Sequence, residues 1–141
     1  MSWIHYKRLI VWQKAMDLTE EIYSLVKKLP AEERYAIADQ LRRAAVSIPS
    51  NIAEGQGRQT EKEFKQFLSI ARGSVFEVET QLLICARTTY FTDDQIKKPL
   101  ALCEEIGKML TKLIIDFHFP APSTTNANNS NDYAATAATS D

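Results

Sequence analysis

The chain has 141 residues, 45% of them hydrophobic, and a formal net charge of −1. That length carries one domain with a single small core, one that subunit contacts would help. Near-neutrality excludes a global electrostatic pull toward nucleic acid, so any such role needs a local basic patch. Charge is nevertheless uneven. Residues 1–30 hold five basic side chains against three acids, and residues 92–141 hold four against seven.

Residues 1–9 read as a short arm, with Trp3, Ile4 and Tyr6 apolar enough to dock and Lys7 and Arg8 facing water or an anion. The first helix is expected over 10–29. Val11, Ala15, Leu18, Ile22, Leu25 and Leu29 recur at steps of four and three, an apolar seam near period 3.5. Pro30 ends it, and Lys27 and Lys28 suit the negative end of its dipole. The second helix is expected to start at Ala31–Glu33, with acids in its first turn, and to bury Ile37, Leu41, Ala44, Ala45, Ile48 and Ile52. Pro49 removes a donor and crowds the carbonyl of Ala45, which predicts a kink in a continuing helix. Gly55 and Gly57 then close it.

The third helix is expected from Thr60, an N-cap with Glu63 three residues on, to about Tyr90. Its buried stripe is Phe64, Phe67, Leu68, Ala71, Val75, Val78, Leu82 and Cys85. Gly73 in its interior costs about 1 kcal/mol against Ala, which close approach of another helix there would offset. The fourth helix is expected after Thr92, buries Ile96, Leu100, Cys103, Ile106, Leu110, Leu113, Ile114 and Phe117, and ends near Phe119–Pro120. Residues 120–141 are Ala-, Ser-, Thr- and Asn-rich, too poor in apolar area to offset chain entropy, and read as a disordered tail. Four amphipathic helices over 10–119 joined by short connections predict an all-α, antiparallel up-down-up-down four-helix bundle.

No run approaches the roughly 18 apolar residues of a membrane span. MSWIHYKRL lacks a leader's apolar core and cleavage site. A cytoplasmic protein without membrane contact is the expectation. Cys85 and Cys103 fall inside apolar helical patterns, away from any CxxC pair or suitably spaced His, which predicts buried free thiols and no metal.

The second helix carries more than a core stripe. Gln40, Arg43, Ser47, Asn51 and Glu54 share one polar stripe beside its apolar one. Two readings stand: a solvated face, or a subunit or interhelical contact that small side chains let another helix approach. Arg72 and Glu79 on the third helix offer a complement, with Arg43 or Arg72 pairing to Glu54 or Glu79.

Catalysis is poorly supported. Ser47 has no His at helical spacing. The carboxylate pairs Glu32–Glu33 and Glu104–Glu105 point about 100° apart on a helix. No inward Glu-x-x-His pair suggests a di-iron centre. Glu54-Gly55-Gln56-Gly57-Arg58 lacks P-loop spacing and follows a helix, so helix termination explains its glycines. We therefore expect no catalytic residue, cofactor or small-molecule substrate. The basic residues Lys7, Arg8, Arg42, Arg43, Arg58, Lys62 and Arg72 are the candidates for nucleic-acid contact.

The run Gln40-Leu41-Arg42-Arg43-Ala44-Ala45-Val46-Ser47-Ile48-Pro49-Ser50-Asn51-Ile52-Ala53-Glu54-Gly55 resembles the signature of the bacterial four helix bundle protein family, also called the 23S rRNA intervening-sequence protein family. The likeness extends to Leu9–Ala15 upstream and to Arg58, Phe64, Phe67–Ser74 and Glu77–Leu82 downstream. It implies a bundle that assembles as a ring-forming homopentamer, with genes often inside insertions of large-subunit rRNA genes. A related group, the accessory variability determinants of diversity-generating retroelements, implies a basic barrel binding nucleic acid and a reverse transcriptase. The net charge of −1 departs from that group. The resulting readings are an oligomeric, non-enzymatic scaffold that meets another macromolecule, and a nucleic-acid-binding accessory protein acting through basic patches on the ring.

Overall fold

The computed structural model describes residues 5–119; Trp3, Ile4 and the tail expected over 120–141 lie outside the described residues. Those residues form four α-helices: α1 (Ile10–Val26), α2 (Ile37–Gln56), α3 (Glu61–Arg87) and α4 (Asp93–Asp116), with no strand among them. Single 3-10 turns at Tyr6–Arg8 and Ala31–Glu33 precede α1 and α2.

The apolar seams become the core. Val11, Ala15, Leu18 and Ile22 of α1 are sealed against Leu41, Ala45, Ile48 and Ile52 of α2, Leu68, Val78 and Leu82 of α3, and Ile106 and Leu110 of α4. α1 packs on α2, α2 on α3, α3 on α4, and α4 returns to α1. Partner numbers run in opposite senses. Gln40, Ser47 and Gly55 of α2 meet Gln81, Ser74 and Phe67 of α3. Lys14 and Glu21 of α1 meet Glu105 and Lys98 of α4. An antiparallel arrangement requires this order.

Several boundaries differ from the sequence reading. α1 stops at Val26, three residues early, because Pro30 disfavours helical backbone at Leu29 and the chain tightens through Lys28 N–H to the Leu25 carbonyl. Glu32 and Glu33 belong to a separate 3-10 turn, and the backbone of Ala36 (φ −116°, ψ −112°) divides that turn from α2. α3 ends at Arg87, where Thr89 takes a left-handed conformation, φ 67°. α4 ends at Asp116 and Phe117 is extended. Thr60 caps α3 by accepting from Glu63 N–H at 3.1 Å. Thr92 and Gln95 cap α4 reciprocally.

Two glycines depart from the roles expected of them. Gly73 was the expected point of close helix approach, yet a Cβ there would meet nothing within 4 Å. Gly55, expected to end a helix, lies within α2, where a Cβ would stand 2.8 Å from Phe67 Cβ and 3.3 Å from the Phe64 carbonyl. The tight α2–α3 contact is at Gly55.

Pro49 sits buried within the helix that runs from Ile37 to Gln56. It cannot donate to Ala45. The hydroxyl of Thr19 on α1 lies 3.2 Å from the Ala45 carbonyl and 2.8 Å from its own Ala15 carbonyl, so its one proton is shared between its own helix and the carbonyl across the interface.

Past α4, the chain is strapped to the start of α3. Phe119 N–H donates to Glu61 Oε1 at 2.7 Å, and His118 Nδ1 stands 3.3 Å from Glu61 Oε2. Phe117 and Phe119 pack on Phe64.

Candidate functional site

The polar stripe of α2 lies along its seam with α3. Ser74 Oγ donates to Ser47 Oγ at 2.9 Å, and Asn51 Nδ2 donates to Ser47 Oγ and the Ser47 carbonyl at 2.9 and 2.8 Å. Gln81 Nε2 donates to Gln40 Oε1 at 3.4 Å. Ser74 and Gln81 are the buried polar residues opposite the stripe. Sequence reasoning missed both, although their seven-residue spacing along one edge of the core stripe was visible. At Ser47 the neighbours are an amide and a hydroxyl, which supply no general base.

The proposed cross-helix ion pairs do not form. Arg43 binds Asp39 at 3.0 Å, Glu54 binds Arg58 at 2.8 Å, and Arg72 donates to Thr111 Oγ1 at 3.3 Å. Glu79 instead faces the α3–α4 side, beside Cys103. Burial, then the Glu79 charge, push the Cys103 thiol up to about 12. Burial raises Cys85 as well, so neither is an activated nucleophile. Among the described residues no cluster of His, Cys, Asp or Glu could hold a metal ion, and no helix is long and apolar enough to cross a membrane.

The basic candidates are dispersed. Arg42 and Arg43 lie in the first half of α2, both near Asp39. Arg58 lies fifteen residues beyond Arg43, stacked 4.6 Å over the Phe67 ring. Arg72 faces α4. Lys7, Arg8 and Lys62 are exposed. Tyr6 of the arm docks against Trp12 with ring centroids 5.4 Å apart.

A second surface was not foreseen. Along the outer side of α3, Ile70, Phe76, Leu83 and Ile84 are exposed, Phe76 by 54%; Ile115 of α4 is 67% exposed. Between α3 and α4 run two open grooves of about 590 and 640 Å³ that share Glu79 and Glu104. Phe76 and Ile115 flank the first, and Leu83 and Leu100 the second. The sequence signal was apolar residues outside the core stripe of α3, which helical spacing alone did not single out.

These features define an all-α protein of four helices whose chemistry lies on its helix faces. The chain belongs to the 23S rRNA-intervening sequence protein family, which it matches over residues 7–112. It is similar to a crystal structure of a protein of unknown function from the S23 ribosomal protein family of Bacteroides thetaiotaomicron, at 30% identity. The two superpose with a TM-score of 0.71 over 75% of this chain and 99% of that one. No functionally curated protein matches the chain.

Proposed function

We propose that this protein is a non-enzymatic scaffold subunit that associates with copies of itself, in the ring of five that the family resemblance implies, and presents the assembled surface to another macromolecule. The exposed apolar outer face of α3 and α4 carries this reading. Soluble monomers rarely leave contiguous apolar patches larger than a few hundred Å² uncovered. Here Phe76 and Ile115 flank a groove whose floor includes the small Gly107. Covering one such aromatic side chain contributes about 1.5–3 kcal/mol per subunit.

Phe76→Glu places a charge in that face without touching the core. It is expected to shift the protein to monomer in size-exclusion chromatography with light scattering while its helical circular dichroism stays intact. An F76E protein that assembles like the wild type would overturn the reading. The nucleic-acid alternative receives less support. Four of its seven candidate side chains, Arg42, Arg43, Arg58 and Arg72, are engaged within the chain.

A further inference from the structure

Gln81 is only 8% exposed, and its Oε1 is shut off from solvent without a hydrogen-bond partner. An unpaired buried acceptor costs about 1–3 kcal/mol, a cost that a bridging water or a donor from outside the chain relieves. It borders a cleft of about 290 Å³ between α2 and α3. The other end of its amide holds only the 3.4 Å bond to the exposed Gln40, a side chain free to swing aside.

The cleft sets acceptors beside the Arg43 guanidinium and the Ser47 and Ser74 hydroxyls. Its open acceptors are Gln40 Oε1 and the carboxylate of Glu77, exposed and without an ion pair among the described residues; Gln81 Oε1 comes within reach once Gln40 swings aside. Ser47 Oγ already accepts from Asn51 and Ser74. The guanidinium at the rim, Arg43, is held by Asp39 and leaves Glu77 unneutralised. Acceptors around a carboxylate select a cationic donor.

The surroundings fit a protein partner. Ile70 and Ile84 stand seven residues on either side of Glu77, on the same outer row of α3, and both are about half exposed. An apolar row bracketing a polar centre excludes water from it on contact. The chain also supplies the complementary group: Arg87 and Lys97 are exposed cations without an ion pair among the described residues.

We infer that the cleft at Gln81 and Glu77 receives a guanidinium or ammonium side chain from a second copy of this chain. This rests on the self-association proposed above. Sedimentation velocity of the full chain tests it, comparing wild type with Glu77→Gln and Gln81→Leu, and with circular dichroism as the check on folding. Glu77 is exposed, so E77Q leaves the core untouched. The expected result is an assembled wild type and at least about a tenfold weaker association for both variants. Added salt should weaken the wild type more than E77Q. An assembled wild type with both variants unchanged would overturn the cleft inference alone and leave the cleft to a bridging water. A monomeric wild type would overturn the assembly reading and this inference with it.

Discussion

Gly55 and Gly73 look alike in the sequence, and their surroundings set them apart. A methyl group at Gly55 would collide with Phe67 Cβ and the Phe64 backbone, which cannot yield cheaply. Gly55→Ala is therefore expected to lose about 1–3 kcal/mol by urea denaturation. Gly73→Ala has open space and ordinary helical backbone, and should gain up to about 1 kcal/mol. A loss at Gly73 would instead mark a contact between subunits. Thr89 holds a left-handed φ of 67°, costly for a β-branched residue. Thr89→Gly should stabilise by about 1 kcal/mol, read as a higher urea midpoint at unchanged slope. The sequence disclosed that Gly73 lies inside a helix and Gly55 near the end of one. It could not disclose which one faces a neighbour, because that depends on where α3 crosses α2.

At the scale of elements, the seven-residue pattern was sufficient to place four helices and nearly all of their buried faces. Their ends were harder, because Leu29 before Pro30 and the left-handed Thr89 stop helices that hydropathy alone would continue. Pro49 was legible, but its compensation was not, since Thr19 lies on a different helix. Thr19→Val should cost about 1–3 kcal/mol by leaving the Ala45 carbonyl short of a donor. In a Pro49→Ala background the restored N–H should reduce that cost, and a double-mutant cycle measures the difference. The strap after α4 makes a pH prediction. Glu61 is held below the ordinary carboxylate range chiefly by Phe119 N–H, against an opposing desolvation, with His118 and Lys65 adding to the lowering. A lowered folded pKa means the strap's contribution is present above the unfolded carboxylate's pKa and is lost as pH falls through the folded one. Hydrogen exchange at the Phe119 amide should therefore lose protection, relative to its intrinsic rate, in acid. Glu61→Ala should lose the same protection at neutral pH.

For the whole molecule, the polar stripe of α2 and the dispersal of its arginines bear on function together. The stripe was readable from helical spacing. Its partners Ser74 and Gln81 were not, because seam polarity is defined by two helices at once. The outer face of α3 was hidden for a related reason: Phe76 and Leu83 resemble core residues until the core is seen to be complete without them. A core already closed by four helices leaves these side chains without an intrachain role, and that is the ground for the self-association proposed above. The most direct measurement is native mass spectrometry of the full chain at micromolar concentration. Self-association predicts a mass that is a multiple of the 16.0 kDa subunit. A single species at 16.0 kDa under those conditions would contradict it.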